Sequence, residues 1–356
     1  SETLSALPKS TAVTAMNKFV ELPLAEPMYA TYHFQGTCTA TAVQNPSIRN
    51  WVLNEVMILA CNRSFLSGKT TPNLNVLRSA WQDNPYLERI SYPPEYAGGY
   101  INPIIRNLLD HGYYVCFGGV DDYYVKGKSW YKVRHFRHDG LICGYNRLDK
   151  TYCIYAYDSN WLYQKFWTPQ SAFDRGREAI LKKEGHGEIY GIRAKSERAV
   201  FSPETAYKKL LEYLNSSLEK YPIDGTGNVF GIIVQEYIAM YIGRLYDGSI
   251  PYERMDRRVL RLIWEHKKVM LERIAAMEQA LGIRPVFSKE YQPLAAEANT
   301  LRMLYASHFM KRRDAVLPVI RRRLSALMAA EREILTALTK EAERSLENGA
   351  MAISEG

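Results

Sequence analysis

Several signatures that would name a chemistry outright are missing. The chain contains no GxxxxGK and no GxGxxG, so neither phosphate-cradling loop is spelled out, and no nucleotide cofactor is expected. Its five cysteines (Cys38, Cys61, Cys116, Cys143 and Cys153) form no CxxC pair and have no metal-ligand spacing. An odd number of unpaired thiols fits a reducing cytoplasm, and no metal is expected. Long hydrophobic runs are absent too. The most apolar stretch, VFGIIVQEYIAMYIG (residues 229–243), is short and carries Gln235 and Glu236, which predicts a buried helix and no membrane partner. SETLSALPKS lacks a basic region followed by an apolar run, which argues against a secretory signal. No internal repeat is evident.

What is present suits a globular protein. The 356 residues are 47% hydrophobic, enough for one large domain or two ordinary ones. The net charge of +8 fits an acidic partner or simple solubility. No nucleic-acid motif accompanies it, so no nucleic-acid partner is expected.

Residues before Thr31 read as an arm, and TYHFQGTCTATAV (31–43) as strand or extended loop, because it is rich in Thr and Tyr and has no helical stripe. Helix starts are marked by Asn45-Pro46 and by Asn102-Pro103, the second with Ile104, Ile105, Leu108 and Leu109 on one face and Gly112 at its end. SYPPEYAGGY (91–100) reads as a loop. From Tyr113 short β-rich runs succeed one another: YYVCFGGV, DDYYV, LICGY, TYCIYAY, LYQKFW and EIYGIR. After about residue 200 the pattern turns helical, from a Ser202-Pro203 cap through 228–246, 252–281 and 293–346, the last kinked or split at Pro318. The fold class is therefore α+β, with an antiparallel sheet in residues 1–200 and an all-helical domain in 201–356. Arg312, Arg313, Arg321, Arg322 and Arg323 bracket Pro318. They either solvate a bundle face or form a docking surface for an acidic protein.

One hairpin carries candidate chemistry. In HFRHDGLICGYNRLDKTYCIYAYDSN (135–160) a turn centred on Leu148 places His138 opposite Asp158, about 5 Å apart at Cβ. A carboxylate there would take the Nδ1 proton, fix the tautomer and leave the other ring nitrogen as a base. A purely structural His–Asp bond, or a chance surface placement, fits the same spacing. For a nucleophile, Cys61, Cys116, Cys143 and Cys153 read as core residues. Cys38, in FQGTCTA ahead of a helix start, reads as an activated thiol or a packed strand thiol. Gln35, three residues upstream, is a candidate oxyanion donor.

HxxLIxGY and YxxxxYD, preceded by VDDYYVKGKSWY, resemble the His and Asp strands of papain-like enzymes of the BtrH-like kind. These are cysteine acyltransferases of antibiotic biosynthesis, related in fold to bacteriocin-leader peptidases and the closthioamide amide synthase. The resemblance covers roughly residues 30–175, and Cys38, His138 and Asp158 match the family order of nucleophile, base and orienting acid. It implies capture of an acyl group from a carrier-protein thioester, with phosphopantetheine as a substrate arm and no bound cofactor, and transfer to a small amine. In papain-like folds the nucleophile usually opens the long N-terminal helix. Here that helix is expected to open at Asn45-Pro46-Ser47, several residues after Cys38: either the helix starts earlier, or Cys38 is reached through an altered loop, or Ser47 or Asn50 occupies the place of the family cysteine. A peptidase or amidase on the same triad, and a non-catalytic papain-like scaffold, are the rival readings.

Overall fold

A computed structural model describes residues 17–92, 101–185, 187–216 and 227–354. SETLSALPKS and all but the first two residues of SYPPEYAGGY lie outside the described residues. In chain order the elements begin with β1 (Phe19–Glu21), α1 (His33–Ala40), α2 (Ser47–Glu55), β2 (Leu59–Asn62), β3 (Asn75–Val76) and β4 (Leu87–Tyr92). Next come α3 (Ile101–Asp110), β5 (Tyr114–Asp121), β6 (Arg137–Asn146), β7 (Thr151–Tyr157), β8 (Tyr163–Pro169), α4 (Gln170–Glu184) and β9 (Ile189–Ala194). The remainder is α5 (Pro203–Asn215), β10 (Asn228–Phe230), α6 (Val234–Tyr246), α7 (Val259–Leu281), α8 (Phe287–Lys311) and α9 (Val316–Ser354).

The chain divides into two compact units, one formed by residues up to Leu22 with Ile90–Gly191, the other by Pro23–Arg89 with Ile192 onward. The segment carrying Cys38 thus groups with the C-terminal helices, whereas the division expected at residue 200 set it with the sheet.

The main sheet runs in the order β4-β9-β5-β6-β7-β8, of which β5 to β8 lie wholly in the first unit. The β5–β6, β6–β7 and β7–β8 pairs are antiparallel, and β1 continues beside β6 beyond the end of β5. The β-branched and aromatic runs build this sheet because their side chains pack on a pleated surface. Val115, Phe117, Val120, Ile142, Tyr152 and Ile154 lie in its core with Phe173 from α4. Phe173 meets Phe117 and Tyr152 edge-on, at ring-centre distances of 5.2 and 5.6 Å. The register of β5 against β6 shifts between Phe117 and Val120, where Gly118 and Gly119 supply the extra residue of a bulge. α4 lies close over this point. A Cβ on its Gly176 would stand 2.7 Å from Val120 Cγ1 and 2.9 Å from the Asp121 carbonyl oxygen, so only glycine lets the helix approach the strand end.

In the second unit β10, β2 and β3 form a small antiparallel sheet, and α1, α2 and α5 to α9 belong to the same unit. The break in the last helical stretch is at Arg312, in the left-handed region at φ 51°, which ends α8. Pro318 instead sits in the first turn of α9, where its missing N–H costs nothing.

HFQGTCTA folds as α1 within the stretch where strand or extended loop was expected. Gln35, at the third helical position, turns its amide oxygen back to the Tyr32 N–H at 3.2 Å, closing the helix start. Thr39 Oγ1 accepts from the Met28 N–H at 3.2 Å. Glu265 of α7 ties down the preceding residues by accepting from the Ala30 and Thr31 N–H groups, both at 3.0 Å, and from Thr31 Oγ1 at 2.7 Å. These tertiary bonds override a weak β propensity.

The helical core holds a fully buried ionic cluster. Glu331 of α9 accepts from Lys267 Nζ at 2.6 Å, Gln235 Nε2 at 2.7 Å, Tyr213 OH at 3.0 Å and Tyr291 OH at 2.5 Å. Burial opposes the charge on Glu331, but Lys267 and these donors more than offset it and hold its carboxyl below the usual range. Neighbouring His266 bonds the Met57 carbonyl oxygen through Nε2 at 2.8 Å, and burial pushes its pKa down to about 3. Removing one partner of such a pair strands the other charge. Glu331→Ala is therefore expected to cost about 3–5 kcal/mol in urea unfolding, and Glu331→Ala/Lys267→Met to cost less than the sum of the single changes.

Candidate active site

The bulge at Gly118–Gly119 sets the facing of residues at the end of β5. Before it Phe117 faces Gly140; after it Val120 faces His138 and Asp121 faces Arg137. Two aspartates leave the strand together, and each meets a histidine. Asp121 Oδ2 bonds His135 Nδ1 at 2.6 Å, while its Oδ1 accepts from the Tyr123 and Phe136 N–H groups at 3.1 Å each. Asp122 Oδ2 bonds His138 Nδ1. The pairs differ in setting. His135 is largely exposed and stacks on Tyr123 at 4.3 Å, whereas the His138 side chain is only 21% exposed and Asp122 is buried.

The His138 pair lies at a recess lined by Phe117, Val125, Lys128, Asp139 and Ile154, among others. Apolar walls strengthen the charges placed there. Lys128 is buried, donates to the Tyr157 carbonyl oxygen at 2.9 Å and stands 3.8 Å from Asp122 Oδ1. Burial lowers its pKa, against the pull of Asp122, Asp139 and Asp158. Asp139 is shifted up, chiefly by burial, with His138 and Lys128 acting the other way. The loop reaches this position through Gly127, whose φ of +104° and contact with the Phe166 ring leave no room for a side chain.

Asp158 was expected to orient His138; the carboxylate bonded to His138 Nδ1 is that of Asp122. The expected register does hold on the near side of the hairpin, where Leu141 faces Tyr155. However, β7 ends at Tyr157, so Asp158 belongs to the following turn. Its Oδ1 accepts from the Asn160 and Leu162 N–H groups at 2.8 and 3.0 Å, and its Oδ2 from Gln164 Nε2 at 2.5 Å. Burial alone would raise its pKa, but the bonds from Leu162, Gln164 and Asn160 outweigh it and hold the carboxyl below the usual range.

In the second unit, Cys38 and Gln35 share α1 and both are buried. The amide of Asn84 approaches Cys38 Sγ at 3.7 Å. The thiol is not activated at rest as expected from its position ahead of a helix: burial pushes its pKa up to about 12, and the Asn84 bond offsets this only in part. Gln35 Nε2 donates to Asn75 Oδ1 at 3.1 Å and to Ser79 Oγ at 2.9 Å, which uses both of its hydrogens. As an oxyanion donor Gln35 would first have to give up one of them. The alternatives to Cys38 serve as anchors: Ser47 Oγ accepts from the Ala199 N–H at 2.7 Å, and Asn50 Nδ2 donates to the Ala199 carbonyl oxygen at 2.8 Å. No group of three or more His, Cys, Asp or Glu side chains among the described residues could hold a metal ion.

Sequence pattern alone did not single out Asp122 and Lys128. Their signal was the spacing in CFGGVDDYYVKGK: paired glycines in a strand mark a bulge, and a bulge re-aims the side chains beyond it. With this geometry in hand, comparison with protein-family models and with curated proteins finds no match for the chain.

The two carboxylates should separate in function. Asp122→Asn is expected to lower any His138-dependent turnover by roughly two to four orders of magnitude, because the amide favours the wrong imidazole tautomer; Asp158→Asn should leave most of it. Asp158 should act instead through stability. Its folded pKa is depressed, so its contribution is fully present above the unfolded value of about 3.9 and is lost as pH falls through the folded value. Acid unfolding of Asp158→Asn should lack that contribution. For Cys38, a pKa near 12 leaves a thiolate fraction on the order of 10⁻⁵ at pH 7. Iodoacetamide should therefore label it slowly in the folded protein, and peptide mass spectrometry reads the rate.

Proposed function

We propose that the protein is a cysteine acyltransferase of papain-like design, taking an acyl group from a carrier-protein thioester and passing it to a small amine. The observation that carries this reading is the His138–Asp122 bond at a partly apolar recess, which leaves the imidazole with a fixed tautomer and Nε2 as the basic nitrogen. The order of Cys38 and His138 in the chain, and the resemblance of the HDGLICGYN strand, agree with it. Asp122 takes over the role first given to Asp158.

The reading requires a nucleophile and a base that act on one thioester, and it assigns these roles to Cys38 and His138. The nucleophile's sulfur bonds to the thioester carbonyl carbon as its proton passes to the base. The tetrahedral oxyanion collapses, the carrier thiolate departs, and the base returns the proton to it. The amine then attacks the acyl-cysteine, the base accepts the ammonium proton, and the amide forms as the cysteine leaves and is reprotonated. Because burial disfavours a standing thiolate, deprotonation is tied to arrival of the thioester. The phosphopantetheine arm is substrate and not a resident cofactor.

The expected docking surface for the acidic carrier is altered in detail. Arg323 forms a two-pronged pair with Glu297, both contacts at 2.6 Å, and the Arg312 guanidinium stacks 3.4 Å from the Tyr252 ring centre. Arg321 packs against Gly243. Charge on this surface is therefore partly spent within the helical unit, which weakens its pull on an acidic protein.

A second reading has its own support. The buried, unactivated thiol and the committed Gln35 amide favour a papain-like scaffold without turnover. Intact-mass and peptide analysis after incubation with acyl-carrier thioesters separates the two. The transferase reading expects one acyl mass on Cys38, discharged by an amine and absent in Cys38→Ala. Absence of any acyl adduct across carriers and short thioesters supports the scaffold, and discharge by water alone supports a peptidase or amidase.

A further inference from the structure

We propose that Lys128 is a positioning residue for the His138–Asp122 pair: its buried ammonium keeps Asp122 an anion that accepts, rather than donates, the proton shared with His138 Nδ1. The proposal deepens the reading of His138 as a base and rests on it.

Three observations place the ammonium. The side chain is buried, with 5% of its surface exposed, although a solvated lysine there would cost nothing. Its Nζ is aimed by a 2.9 Å bond to the Tyr157 carbonyl oxygen, which fixes it 3.8 Å from the Asp122 oxygen that is not bonded to His138. Gly127 immediately before it adopts a backbone conformation that L side chains rarely take, so the chain is bent to deliver this side chain.

The physical need for a cation comes from the surroundings. Asp122 is 1% exposed, Asp139 succeeds His138 on the same strand, and Asp158 begins the next turn. Arg137 points elsewhere, donating to the Gly118 carbonyl oxygen and pairing with Glu184 at 3.2 Å. The neighbouring Asp121 is committed to His135. An opposite charge a few ångströms away favours a carboxylate's charged form, and Lys128 Nζ stands 3.8 Å from Asp122 Oδ1. A protonated Asp122 would donate to Nδ1, move the ring proton to Nε2 and remove the base. Lys128 prevents this without touching the imidazole or any reacting atom. An ammonium gives this electrostatic support without a rigid fork, so arginine should substitute if it fits.

The test needs no substrate, so it stands or falls apart from acyl transfer. In uniformly labelled protein near neutral pH, ¹⁵N NMR reads which nitrogen of His138 carries the proton. Unaltered protein and Lys128→Arg should show the Nδ1–H tautomer, and Lys128→Met should shift His138 toward Nε2–H while His135, on its own aspartate, stays as it was. Retention of the Nδ1–H form in folded Lys128→Met overturns the proposal. Should Lys128→Met not fold, the reverse arm decides: Asp122→Asn should lower the titration midpoint of Lys128, followed at its ¹³Cε, by about one pH unit. An unmoved midpoint likewise overturns it.

Discussion

The β5 bulge at Gly118–Gly119 is the constraint on which the sheet unit's chemistry depends. A strand places side chains on alternate faces, so one extra residue reverses the facing of everything after it. Without the shift His138 would face Gly119; with it Val120 faces His138 and the backbone of Asp122 remains bonded to Phe136, its N–H donating to the carbonyl oxygen at 2.9 Å. That is how two consecutive aspartates come to hold two histidines spaced three apart. The close approach of α4 at Gly176 holds the same strand end from above.

The helical unit meets a different physical demand with similar means. Two of its buried ionisable groups are satisfied by several partners each, Glu331 by four donors and Arg273 by the carbonyl oxygens of Val52, Leu53 and Val56 at the end of α2. The latter satisfies helix-terminal acceptors that have no partner within the helix. Such networks do not add much net stability, but they are costly to break, and so they favour one packing over others. Glu265 of the same unit ties down the residues before α1, and Cys38 is buried within that helix, which raises its pKa.

Much of the fold was legible from pattern alone. The period-2 runs after Tyr113 marked an antiparallel sheet, and the 3.6-period runs after residue 200 marked a helical C-terminal region, with helices observed at 234–246, 259–281, 287–311 and 316–354. Features decided by distant residues were not. α1 depends on Glu265, more than two hundred residues away, and on Gln35 closing its first turn. The break at Arg312 depends on a left-handed residue that proline did not announce. In the site, His138 was legible from its place on the hairpin, but its partner was not. The hairpin pointed forward to Asp158 as the carboxylate, whereas the partner came from the preceding strand, where only the paired glycines hinted at a re-aimed side chain.

The central claim is that His138 answers to Asp122 and not to Asp158. Proton NMR of the folded protein tests it most directly, because an imidazole N–H held by a carboxylate exchanges slowly and resonates far downfield. The account predicts such a signal, correlated with the His138 ring, that survives Asp158→Asn and disappears in Asp122→Asn. A signal that survives Asp122→Asn and disappears in Asp158→Asn would contradict it.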